Sequence, residues 1–136
     1  MCDTTNKTIL AVDDEAHILH VVSLKLRNAG FSVIMAHDAE EAFDAASGTQ
    51  VDLVITDFQM PGMSGLDLAR KLHQEPGKRE LPVMLLTAHG LALEQVELVQ
   101  AGIAVCLSKP FSPRELLTRV HELLEEREKS AAAGAA

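Results

Sequence analysis

Asp13 and Asp14 stand directly after the short apolar run Ile9–Val12, and Asp57 stands directly after Leu53–Thr56. Two further runs end in groups that suit carboxylates: Thr87, followed by Ala88-His89, and Lys109, between Ser108 and Pro110. Carboxylate oxygens are natural ligands of a hard cation such as Mg²⁺. A carboxylate is also a nucleophile, able to take a phosphoryl group as an aspartyl phosphate. Asp13 and Asp14 read as a Mg²⁺ site, although such a pair alone more often caps the next helix, which Glu15 can also do. Asp57 changes that balance, because three unpaired carboxylates repel unless a cation or Lys109 neutralises them. Asp57 is therefore a metal ligand or a nucleophile.

The segment Phe58-Gln59-Met60-Pro61-Gly62-Met63-Ser64-Gly65 supplies Pro and Gly for a tight turn. Such a turn can present a backbone carbonyl to a metal, or be an ordinary connection. Thr87 is either a β-branched strand residue or a hydroxyl placed to bind a phosphoryl oxygen. Lys109 follows an apolar strand, where an unpaired ammonium is costly; pairing with Asp57 or a phosphate removes that cost. Pro110 restricts Lys109 to extended geometry; a cis bond between them would hold the lysine fixed, although trans is the default expectation.

Those residues can meet only if the elements before them line up. Five apolar runs have strand length: Ile9–Val12, Ser32–Ala36, Leu53–Thr56, Pro82–Thr87 and Ala104–Ser108. They are continuous, as strands buried on both faces require. Between them lie helical patterns. Ile18, Val21, Val22 and Leu26 mark the first, which ends at a C′ Gly30. Asp38 caps Ala39–Ala46, and Ser64 caps a third helix through Leu66, Leu68, Ala69 and Leu72. A fourth runs from about Leu91 to Ala101 and stops at Gly102. Ser112-Pro113 opens the last, with Leu116, Leu117, Val120, Leu123 and Leu124 toward the core. Five βα units predict an α/β fold, a doubly wound five-stranded parallel sheet with five helices, in one domain over residues 7–125. Residues 126–136 read as a charged helix end and a mobile Ala/Gly tail. Ligands of such sheets bind outside the carboxyl ends of the strands, where all the polar residues above collect.

A length of 136 residues fits one domain. The formal charge of −8 argues against direct binding of nucleic acid or an anionic membrane. Only 3% of residues are aromatic, with no Trp or Tyr, which removes a base-stacking platform. No apolar run approaches the ~20 residues that span a bilayer, and the first residues lack the pattern of a signal peptide. Cys2 and Cys106 have no metal-ligand spacing, so a reduced, cytoplasmic protein is expected. Cys106 reads as a small buried apolar residue. His17 and His20 lack a third ligand, and His37, His73 and His121 read as surface residues.

Asp13-Asp14, Asp57 within DFQMPGMSG, Thr87-Ala88 and Lys109-Pro110-Phe111, in that order and each at a strand end, resemble the receiver domain of two-component response regulators. That resemblance covers about residues 7–125 and implies the CheY-like, flavodoxin-like fold. It implies that Asp57 accepts a phosphoryl group from a phosphohistidine of a sensor histidine kinase or histidine phosphotransfer protein. Asp57 and Asp14 would ligate Mg²⁺ directly, Asp13 through water, and Gln59 through its backbone carbonyl. Thr87 and Lys109 would bind the phosphoryl oxygens. A downstream protein would meet the face of the fourth helix, fifth strand and fifth helix. Cys106 stands where the family usually has Tyr or Phe, and Gln59 and His89 occupy positions that tune phosphate lifetime in the family. The expected role is signalling rather than enzymatic. An aspartate-nucleophile phosphatase would need a second acid at Gln59. A phosphorylation-independent module would be signalled by loss of the acids or the lysine, and none is lost.

Overall fold

β1 (Thr8–Val12), β3 (Leu53–Asp57) and β4 (Val83–Thr87) are apolar over most of their length, and all three are buried almost throughout. They form the middle of one five-stranded parallel sheet in the computed structural model, which describes residues 7–88 and 94–135, with side chains described as far as Arg127. β2 (Ser32–Ala36) and β5 (Ile103–Ser108) form the edges, giving the order β2-β1-β3-β4-β5. Helices α1 (Ala16–Asn28), α2 (Ala39–Gly48), α3 (Gly65–His73), α4 (Gln95–Ala101) and α5 (Pro113–Ala135) alternate with the strands. This is the expected five-stranded, five-helix α/β architecture.

Because side chains alternate across a strand, the sheet has two cores. Leu10, Val12, Val54 and Leu85 pack with Leu66, Leu68 and Leu72 of α3 on one face. Ile9, Leu53, Ile55 and Met84 pack with Leu26 of α1 and Leu116 of α5 on the other. Each such fully buried aliphatic side chain contributes about 1.5–3 kcal/mol of transfer free energy. In register, Val12 pairs with Thr56, Asp57 with Leu86 and Thr87 with Ser108. Asp13, Asp57, Thr87 and Lys109 therefore leave the sheet along one edge.

The helix boundaries follow local chemistry. Asp38 accepts from the Glu41 N–H at 2.7 Å, Ser64 from Asp67 N–H at 3.2 Å and Ser112 from Glu115 N–H at 3.0 Å. α1 and α4 end at left-handed glycines, Gly30 (φ 102°) and Gly102 (φ 73°). α4 is described from Gln95, and the expected start at Leu91, with His89, lies outside the described residues. So do the reading of residues 1–6, with Cys2, and the side chains beyond Arg127.

Several expectations are corrected. The buried seam of α1 is Leu19, Val22, Ser23 and Leu26, while Val21 is 38% exposed; the apolar stripe is shifted by part of a turn. β2 and β5 are not buried on both faces, because an edge strand is flanked on one side only. β5 accordingly alternates, and Cys106 is exposed rather than buried. His73 is half-buried, with Nδ1 3.1 Å from the Ala101 carbonyl and Nε2 2.8 Å from that of Leu81. His121 is also half-buried, its ring centroid 5.5 Å from that of Phe31. The Lys109-Pro110 bond is cis, not trans. Among the described residues, no helix is long and apolar enough to cross a membrane.

Candidate functional site

β1 delivers Asp13 to the sheet edge, where its own N–H donates to the Ala36 carbonyl at 3.2 Å. Asp13 is 2% exposed. Its Oδ1 accepts from the Glu15 N–H at 2.9 Å, so Asp13 organises the start of α1 while Glu15 itself makes no side-chain cap. Its Oδ2 is buried without a hydrogen-bond partner, at an ion-pair distance of 3.6 Å from Lys109 Nζ. β3 delivers Asp57, 6% exposed, whose Oδ1 accepts from Lys109 Nζ at 2.9 Å. Asp14 is exposed beside them, and one carboxylate oxygen from each of Asp13, Asp14 and Asp57 lies within 4.8 Å of the others.

Lys109 is held by its backbone, the N–H donating to the Thr87 carbonyl at 2.7 Å. Thr87 reaches the same edge, 3% exposed, with its hydroxyl donating to the Leu107 carbonyl at 3.4 Å. Gln59 is exposed and lines an open cleft of about 470 Å³ with Asp14, Phe58 and Pro61. All six residues singled out in the sequence thus collect at one end of the sheet. Thr87 and Gln59 stand at its margin.

Burial pushes both Asp13 and Asp57 above the ordinary carboxylate range. For Asp13, the Glu15 hydrogen bond works against that rise and the Asp57 charge adds to it. For Asp57, the Lys109 hydrogen bond and charge oppose it without cancelling it. Burial pulls Lys109 down, but its bond to Asp57 and the neighbouring acids outweigh this, and the ammonium ends above its usual value. Attraction governs the lysine, whereas desolvation governs the carboxylates. Three acids face one cation, and a buried oxygen lacks a partner. That donor set suits a hard dication, and Asp13, Asp14 and Asp57 are the residues able to hold it.

Two neighbours of Asp57 escaped the sequence reading. The Thr56 hydroxyl donates to the Asp57 main-chain carbonyl at 3.1 Å. Gly65 starts α3 directly against that same carbonyl. A hydroxyl closing the apolar run Leu53-Val54-Ile55 was the available signal for the first; nothing distinguished the second from a turn glycine.

The model of the response regulator receiver domain matches residues 9–121. The chain is 36% identical over 118 residues to the phosphate regulon transcriptional regulatory protein PhoB of Pseudomonas aeruginosa, covering 87% of this chain and 52% of that protein. It is 36% identical over 123 residues to the alkaline phosphatase synthesis transcriptional regulatory protein PhoP of Bacillus subtilis, covering 90% and 50%. The chain therefore spans about half the length of these curated relatives. Among solved structures, a chemotaxis response regulator of Vibrio cholerae aligns with a TM-score of 0.82 at 31% identity, over 88% of this chain and 99% of that one. A CheY-like receiver domain protein of Methanospirillum hungatei aligns with a TM-score of 0.84 at 31% identity, over 91% and 98%. With sequence, sheet order and acidic edge in agreement, the chain belongs to the family of response regulator receiver domains.

Proposed function

We propose that this receiver is phosphorylated on Asp57 by a phosphohistidine of a sensor histidine kinase or histidine phosphotransfer protein, and that the modification changes the face it offers a downstream protein. The observation that carries this reading is Lys109 Nζ, 2.9 Å from Asp57 Oδ1, beside two further carboxylates. Asp57 supplies the attacking oxygen. The phosphorus–nitrogen bond of the donor breaks as the phosphorus–oxygen bond forms, and the departing imidazole takes up a proton. Asp13, Asp14 and Asp57, with the backbone carbonyl of Gln59, would hold Mg²⁺. When bound, the ion would supply neutralisation of charge on the phosphoryl oxygens. Lys109 and the Thr87 hydroxyl then bind those oxygens, for which Thr87 exchanges its bond to Leu107.

An apolar groove of about 510 Å³, lined by Ile18, Val21, Val22, Pro110 and Phe111, runs beside Lys109 and suits the donor protein. The downstream partner meets α4, β5 and α5, where Val96 and Val99 are 61% and 66% exposed. No direct contact of this domain with nucleic acid or membrane is proposed, and the setting is cytoplasmic.

Incubation with Mg²⁺ and a small acyl phosphate, followed by intact mass measurement, tests the reading. One added phosphoryl group is expected, not formed when Mg²⁺ is withheld and absent from Asp57→Asn. Undiminished phosphorylation of that variant would remove Asp57 as the acceptor.

A further inference from the structure

Thr56 places a hydroxyl in a core that has no packing need of one. It is wholly buried. Alternation along β3 puts it with Val54 on the face of α3, opposite Val12 and Leu85 in register. Valine would fill the same space with no polar group to satisfy. The hydroxyl donates to the Asp57 carbonyl at 3.1 Å and lies 4.0 Å from the Met60 sulfur.

The same carbonyl oxygen bounds the first residue of α3. A Cβ on Gly65 would overlap it and would stand 2.8 Å from Leu85 Cδ1. Gly65 is not among the left-handed glycines, so close approach, not backbone freedom, requires glycine here. Its N–H donates to the Phe58 carbonyl at 2.9 Å, and the Phe58 N–H donates to that of Leu86 at 2.8 Å. The loop carrying Gln59 is thus closed by Gly65 on Phe58, which is itself tied to β4.

We propose that Thr56 and Gly65 are positioning residues for phosphoryl transfer, fixing the Asp57 main chain so that its carboxylate holds one position relative to Lys109 and Asp13. The proposal rests on Asp57 being the acceptor. Phosphoryl transfer depends mainly on positioning, so a small tilt of the Asp57 peptide is felt at the carboxylate and at the start of the Gln59 loop together.

The test uses the full chain with Thr56→Val, Thr56→Ser and Gly65→Ala, and Leu72→Ala as a destabilised control whose side chain lies away from Asp57. Two quantities are read per folded molecule. One is the rate of Asp57 phosphorylation at saturating Mg²⁺ and acyl phosphate. The other is the ¹³C shift of the Asp57 side-chain carboxyl with its Mg²⁺ titration. Thr56→Val is expected to slow the reaction about 10-fold and move the carboxyl signal, Thr56→Ser to stay within about twofold, and Gly65→Ala to lose at least about 10-fold, as outer-layer partners of ligands do. Leu72→Ala should keep both readouts. Parent values in Thr56→Val, or no rescue by Ser, would overturn the proposal. If Gly65→Ala does not fold, the Val and Ser pair decides. A parent chain that takes no phosphoryl group refutes the acceptor assignment, and the carboxyl shift in Val against Ser still decides the positioning.

Discussion

Asp13 is the residue whose own energy is most at odds with its task. It is buried, one of its oxygens has no hydrogen bond, and its ion-pair contact with Lys109 is 3.6 Å. A buried charge without full pairing destabilises a fold, and a neutral isostere relieves it. Asp13→Asn keeps an acceptor for the Glu15 N–H and should raise stability without Mg²⁺ by about 1–2 kcal/mol. The pH dependence has a definite sign. Asp13 and Asp57 have folded-state values raised above 3.8, so the folded chain binds their protons more readily than the unfolded one. Their stabilising protonation is complete below about pH 3.8 and is lost as pH rises through the raised values. The advantage of Asp13→Asn over the parent should therefore be full at neutral pH and shrink on acidification. Urea denaturation at several pH values, without Mg²⁺, measures it; an advantage growing toward low pH contradicts the assignment.

At the scale of elements, each helix carries a separable contribution. Ser23 sits in the buried seam of α1 with a hydroxyl that has no partner. Ser23→Ala removes an unsatisfied group and favours the helix, so stability should rise by about 1 kcal/mol, with phosphorylation unchanged. Thermal denaturation decides this, and a lower melting temperature would show that the hydroxyl has a partner after all. Gly102 offers the opposite case. Its φ of 73° and the His73 ring, 2.7 Å from where a Cβ would stand at Nδ1, both oppose a side chain. Gly102→Ala should cost about 1–3 kcal/mol and disturb the His73 bonds to Ala101 and Leu81. The helix caps were legible because Asp38, Ser64 and Ser112 each act on the N–H three residues on. The α1 seam was misread because Ile18 and Val21 are apolar too; only packing against β2 and α5 selects Leu19, Val22 and Leu26. The two edge strands look like the central ones in sequence, since neighbours, not composition, decide exposure. Thr56 and Gly65 were missed for a related reason: their partner is a main-chain oxygen, and side-chain spacing does not report it.

For the whole molecule, the question is how a phosphoryl group on Asp57 alters a distant face. Thr87 is buried and its hydroxyl is engaged with the Leu107 carbonyl, so binding a phosphoryl oxygen exchanges one partner for another. On β5, Cys106 has its Sγ 3.9 Å from the Thr87 hydroxyl and is exposed. It has one side-chain torsion and too little volume to fill space that a moving Thr87 leaves. A modification shifts an equilibrium only through its differential interaction with the two states. Here that difference lies where Thr87 leads next, through Ala88 toward α4, which is short, has its apolar Val96 and Val99 in solvent, and buries only Ala101 among its described residues. An element with so little buried surface is the one a small free-energy difference can move. Phosphorylation is therefore expected to change Ala88 and α4 more than β5. Backbone chemical shifts recorded with and without a phosphoryl mimic, in Mg²⁺, measure the distribution. Changes centred on Cys106 with Gln95–Ala101 quiet would mean that the strand, not the helix, carries the signal.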